Sequence, residues 1–505
     1  MNIARFFEHW GLTENPFSAE EARHDAVFAR LAPGVSTHPD FEKVLGDLSR
    51  PATSIVFGEK GSGKTALRMQ IEQRILAWNE THPDRCVLLI AYDDLNPTLD
   101  RFVARMREEG SASTDEALAK LRLTDHMDAI LHSAVAPIVD GLLAATKKTG
   151  RDRVRALRRS APSVRADCLL LQAVYDRPAS APANSIRLRR MLRARGDWSR
   201  ALWTIAAGLG WIPAAALAGW LVFERTPAAD PAWTYGVGTL AAAWALTFLK
   251  RFGWDRWRVR RLGRRVARRV RVQDRSPDSA ARSLACLSPA MRAQAPMTGS
   301  EETRYEMFAR LRRVIAPLGY TSAIVVVDRV DEPTVISGDP DRMRAVVWSL
   351  MSSKFLQMEG VGFKLLLPIE LRHALFRESS KFFQEARLDK QNLIEQLAWT
   401  GATLYDLCTA RMRACRRGNA GSVTLVDFFA EDVARQDVVD ALDQMRQPRD
   451  AFKLLYQCAQ AHCATVTEDQ AENDGAWRIP RLILETVRRS QVDRVLQLSR
   501  GMRPA

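Results

Sequence analysis

The 505-residue sequence contains no Cys-x-x-Cys pair. Its cysteines (Cys86, Cys168, Cys286, Cys408, Cys415, Cys458 and Cys463) are dispersed and odd in number, and no histidine stands near them at zinc-ligand spacing. This argues against a disulfide framework and a cysteine metal site, and predicts reduced, buried thiols in a cytosolic chain. The start, Met1 to Trp10, has no basic end followed by an apolar run. A secretory signal is therefore not expected, and the N-terminus is expected in the cytoplasm. Long low-complexity tracts are also missing, and 47% of the residues are hydrophobic, which argues against disorder. What the chain has in excess is positive charge: 74 Lys and Arg against 59 Asp and Glu, a net +15, with arginine dominant. Such a balance suits nucleic acid or an anionic membrane surface. The length predicts two or three domains, and the Arg- and Ala-rich composition points to a high-GC bacterium.

Residues 53–57 (Thr-Ser-Ile-Val-Phe) form a short, mostly apolar, β-prone run, as expected of a buried parallel strand. Gly58-Glu59-Lys60-Gly61-Ser62-Gly63-Lys64-Thr65 follows and matches G-x-x-x-x-G-K-[ST] at every fixed position. Beyond it Ala66, Leu67, Met69, Ile71, Ile75 and Leu76 fall on helical spacing. A P-loop between strand and helix is thus predicted, with Gly58 to Ala66 as the residues binding a nucleoside triphosphate. The glycines let backbone N–H groups converge on phosphate oxygens without Cβ clashes, and the helix N-terminus adds partial positive charge. Lys64 is expected on the β- and γ-phosphates and Thr65 on Mg²⁺.

Such a loop needs an acidic residue at the end of a nearby strand. Ala323 to Val327 is a wholly apolar run that ends in Asp328-Arg-Val-Asp331-Glu332-Pro333, and no other run is read as ending in a comparable acidic cluster. Asp328 is assigned to the metal, and Asp331 or Glu332 to polarising the attacking water.

The D-x-x-D-E form of this segment resembles the Walker B motif of STAND, NACHT and KAP-type P-loop NTPases, which are relatives of AAA+ ATPases. The resemblance implies an α/β fold: a parallel sheet flanked by helices, with a C-terminal helical lid. Phe363 to Pro368 reads as the next core strand, and Asn392 to Thr400 resembles the last strand and its exit toward the lid. The resemblance places Arg387 where an arginine finger stands, acting on a neighbour in an oligomer. It places Arg449, in the helix opened by Gln447-Pro448, near the γ-phosphate. Trp10 to Phe17 is similar to the linker that borders the adenine in some bacterial relatives.

Between Thr65 and Asp328 lies an unusually long interval. Part of it is core-like: a strand is read at 85–93, and helices at 125–145 and 167–175. The stretch Ala201 to Phe223 then carries no charge and exceeds the roughly 20 residues that span a bilayer; Ala232 to Leu249 is also uncharged and close to the lower limit of roughly 17. A link with Glu224, Arg225, Pro227, Asp230 and Pro231 joins them. Arginines crowd the outer flanks: Arg187, Arg189, Arg190, Arg193, Arg195 and Arg200 before, and a block from Arg251 to Arg271 after. Tryptophans, among them Trp198, Trp203, Trp220, Trp233, Trp254 and Trp257, sit near both ends. By the positive-inside rule this reads as a two-pass insertion in a bacterial inner membrane with both termini cytoplasmic. Arg258, Arg261, Arg265 and Arg269 form a helical stripe that suits anionic lipid, with nucleic acid as the competing partner.

The expected organisation is an N-terminal linker region (1–50), a core in two parts (51–185 and 276–400), a membrane insert (186–275) and a helical lid (401–505). The expected function is a membrane-anchored ATPase that acts as a cytosolic switch with an unidentified protein partner. The resemblance implies a role in signalling or anti-phage defence. The alternative is a DNA-binding AAA-type ATPase in which 201–249 is a buried helical hairpin.

Overall fold

A computed structural model of the chain describes residues 1–17, 21–31, 37–144, 148–194, 198–223, 231–416, 423–467 and 474–499. It divides into two units. One joins Met1–Asn96 to Thr321–Ala505; the other is Pro97–Tyr320. The second unit therefore takes in 97–185 and 276–320 as well as the expected insert at 186–275.

The first unit is α/β. Its sheet contains β1 (Ser54–Gly58), β2 (Cys86–Tyr92), β3 (Tyr320–Val327), β4 (Val361–Pro368) and β5 (Asn392–Ile394), in the spatial order β2-β3-β4-β1-β5. β1 pairs in parallel with β4 on one side and β5 on the other, and β3 pairs in parallel with β4. β1 and β4 are buried along their whole length, as strands covered on both faces must be. Ile55, Val56, Phe57 and Ile324 to Val327 are at most 1% exposed. The consequence for function lies in the order. With β4 between β1 and β3, the residues that follow Gly58 and Val327 emerge at the same C-terminal edge, two strand spacings or about 10 Å apart.

The rest of this unit is helical. Phe6, Phe7, Leu12 and Phe17 share one buried cluster with Leu404, Met412, Phe428, Leu454 and Leu484. The Met1 amine donates to the carbonyls of Cys463 and Val466. The N-terminal segment is thus part of the C-terminal helical core, which sequence reading cannot see because the partners lie at the far end of the chain.

The second unit consists of helices joined by buried ion pairs. Arg304 reaches Asp128 at 3.0 Å with both side chains at most 1% exposed, and Tyr175 donates its hydroxyl to the same carboxylate. Burial pushes the Asp128 carboxyl up to about 6.

The two-pass membrane placement is corrected here. Among the described residues one helical stretch, Leu202–Trp220, is long and apolar enough to cross a bilayer, and a single stretch does not make a two-pass protein. The run at 232–249 is not among such stretches, and Tyr235, Gly236, Thr239 and Trp244 lower its mean hydropathy. The charged link at 224–230 and Arg195 lie outside the described residues. The buried hairpin of the alternative reading is not what the structure has either. Leu202, Ile205, Leu209, Trp211, Leu246 and Leu249 are exposed, and only 11% of the apolar stretch is buried. The helix Asp255–Arg269 follows, with Arg258, Arg261, Arg265 and Arg269 exposed along it. Its inner face is fixed by Gly263, where a Cβ would meet the Ala281 nitrogen and the Pro277 carbonyl at 2.7 Å.

Candidate functional site

The helix Lys64–Thr81 starts directly beyond the loop that leaves β1. Gly61 and Gly63 hold φ at +103° and +97°, a region that favours glycine and that a loop needs if its N–H groups are to converge on an anion. Lys64 Nζ donates to the carbonyls of Gly58 (2.7 Å) and Glu59 (3.0 Å). Burial lowers the Lys64 pKa, against the pull of Asp331, Asp328, Glu370 and Glu59. Ser62 is 1% exposed, and its Oγ has no partner.

From β3 comes Asp328, fully buried at the strand end. Thr65 Oγ1 donates to Asp328 Oδ2 at 3.5 Å, the outer limit of a hydrogen bond, across 263 residues of sequence. Burial raises the Asp328 pKa, opposed by the Arg329 N–H that donates to Oδ1 at 2.9 Å and by Lys64, Arg68 and Arg329. Asp331 and Glu332 border the same space. They differ in state: Glu332 accepts from Arg329 Nη1 at 2.9 Å, whereas Asp331 is the carboxylate that does most to keep Lys64 protonated.

These groups border a cavity of about 480 Å³, within the range of small-molecule sites. The loop and the acidic turn line one part; Asp25, Phe28, His38, Arg411 and Phe452 line another. The helix Pro448–Thr465 closes over the loop. A Cβ on Gly61 would stand 2.9 Å from Arg449 Cβ, and Arg449 Nε is buried without a partner.

Lys60, Gly61, Gly63, Lys64, Thr65, Ala66, Asp328, Asp331, Glu332 and Arg449 all line this cavity. Gly58 and Glu59 support it through the Lys64 contacts. Arg387 does not line it: the residue is exposed, with φ +46°, at the end of the helix Ser380–Ala386.

Sequence reading missed several neighbours. Trp399 Nε1 donates to the Ser62 carbonyl (2.9 Å), and Gln447 Nε2 donates to Glu59 (2.7 Å). Arg411 is 2% exposed. Its Nε donates to the Pro16 carbonyl and its Nη1 pairs with Asp25. Asp93 was findable, because β2 is a second apolar run that ends in acid, at Asp93-Asp94. The rule that selected Asp328 applies there too.

The residues present fit a triphosphate and its cation. Curled glycines, the half-buried Lys64 and Arg449, whose Nε is unpartnered, offer donors to a ligand in the cavity, which Ser62 does not line. Among the described residues no group of three or more His, Cys, Asp or Glu side chains could hold a metal. Mg²⁺ needs no such cage when phosphates and water supply most of its ligands. Comparison with protein-family models, with curated proteins and with solved structures found no match, so the reading of this site rests on its own residues.

Proposed function

We propose that the chain is a P-loop NTPase that binds Mg²⁺-ATP and hydrolyses it as a switch, with the C-terminal helices as its lid. The observation that carries this reading is the meeting of Lys64, Thr65 and Asp328 on one buried edge of a parallel sheet. The loop N–H groups bind the β- and γ-phosphate oxygens. Lys64 exchanges its carbonyl partners for phosphate oxygens. Thr65 Oγ1 and Asp328 would hold the cation, which would supply neutralisation of the phosphate charge. Asp331 orients and deprotonates the attacking water, since Glu332 is occupied by Arg329. Arg449 carries the closing of the lid to the phosphates. Arg387, exposed at its helix end, is available to a neighbouring copy. The arginine stripe of Asp255–Arg269 serves a phosphate-rich partner.

Binding of a fluorescent ATP analogue and phosphate release test this directly. Lys64→Ala is expected to weaken binding about 10- to 100-fold, as loss of a charge-assisted contact does. Asp331→Asn is expected to bind but not turn over, and Glu332→Gln to retain turnover. Robust activity in Lys64→Ala would sink the assignment.

A further inference from the structure

One carboxylate beside the cradle holds three guanidinium groups from three separate segments. Asp93 follows β2 directly and its side chain is 16% exposed. Its Oδ2 lies 2.8 Å from Arg68 Nη1, 3.1 Å from Arg23 Nη2 and 3.7 Å from Arg329 Nη2. Arg329 Nη2 also donates to the Asp93 backbone carbonyl at 3.1 Å. Arg68 stands one helical turn beyond Thr65, and Arg329 directly follows Asp328. Both guanidiniums act electrostatically on Asp328, one of the two side chains assigned to the cation. Each is largely buried, with its Nε unpartnered, so neither can turn to bulk solvent for compensation. Arg329 also sits at φ +57°, which fixes where its side chain leaves the backbone.

Three cations on one carboxylate leave that cluster with excess positive charge next to the fully buried Asp328. Without Asp93, Arg329 keeps Glu332, whereas Arg68 remains in electrostatic reach of Asp328, and a guanidinium on that carboxylate would neutralise it and compete with a divalent cation. We propose that Asp93 is a positioning residue that sets the Mg²⁺ affinity of the cradle by holding Arg68 and, together with Glu332, Arg329 away from Asp328. This rests on the nucleotide reading above. Asp93 touches neither phosphate nor metal; it acts by occupying competitors. Arg329 is divided between Asp93 and Glu332.

The test uses the full chain and methylanthraniloyl-ATP, with affinity measured in EDTA and in saturating Mg²⁺. The readout is the ratio of the two affinities. Asp93→Asn is expected to lower that ratio about tenfold, the scale of one partly screened guanidinium–carboxylate contact, while affinity in EDTA is kept or increased. Asp93→Glu keeps the ratio, and Arg68→Gln added to Asp93→Asn returns it toward the wild-type value. An unchanged ratio in Asp93→Asn overturns the proposal, as does a double variant no better than the single. An equal loss with and without Mg²⁺ marks a merely structural role and overturns it too. Should Asp93→Asn fail to fold, Arg68→Gln and Arg329→Gln decide: a ratio at or above wild type supports the proposal, and a fall overturns it. A wild-type chain that binds no nucleotide removes the underlying reading and this inference with it. Wild-type binding with a ratio that Asp93→Asn leaves unmoved removes this inference alone.

Discussion

Gly61→Ala isolates how much of the cradle depends on a missing side chain. At φ +103° an alanine is strained whatever the space around it, at a cost of about 1–3 kcal/mol. The new Cβ would also stand 2.9 Å from Arg449 Cβ, 3.1 Å from Arg449 Cδ and 3.1 Å from Gln447 Oε1. The first of these is close to the backbone of a helix, so it cannot be relieved by a swinging side chain. The helix Pro448–Thr465 must back away, at a further cost of about 1–3 kcal/mol for overpacking. Gly46 supplies the control within the same unit: it too has positive φ, at +64°, but nothing lies within 4 Å of its Cβ position. Gly46→Ala therefore measures backbone strain, and the excess of Gly61→Ala over it measures the clash. Urea unfolding gives the stability difference, and the fluorescent nucleotide gives the affinity of each variant. The expected result is a loss of about 2–6 kcal/mol for Gly61→Ala against about 1–3 for Gly46→Ala, with nucleotide affinity falling at least about tenfold in the first alone. Equal effects of the two substitutions on both readouts would refute the claim that Arg449 packs against the loop.

Other perturbations separate folding from function. Lys364 is buried in β4 and donates to the Ala52 carbonyl and Ser54 Oγ; burial lowers its pKa to about 7, below its ordinary 10.5. Between those values the unfolded chain binds more protons, so stability should rise with pH across the window, by on the order of a few kcal/mol. Lys364→Met should abolish that slope in urea titrations run at several pH values, and an unchanged slope would contradict the assignment. Arg304→Met, which leaves Asp128 buried without its cation, should cost about 3–5 kcal/mol. The double variant with Asp128→Leu should recover much of that loss, and thermal unfolding that shows strict additivity would count against a coupled pair.

The sequence by itself determined the local features of this protein. Gly58 to Thr65, between an apolar run and a helical pattern, marked both the loop and its place at a strand end, because glycine spacing and side-chain periodicity are local properties. The same holds for β3 ending at Asp328, for β4 and β5, and for the helix opened by Gln447-Pro448. Tertiary structure decided everything that depends on chain return. The pairing of β4 between β1 and β3 brings Thr65 to Asp328. The N-terminal segment joins the C-terminal helices, and Asp93 gathers arginines from three segments. Hydropathy misled for a related reason: an uncharged run tells how little a segment resists leaving water, but not which solvent or partner covers it. The different surroundings of Asp331 and Glu332 show the limit most clearly. The two are adjacent and both acidic, and only the position of Arg329, set by its left-handed backbone and by Asp93, distinguishes them.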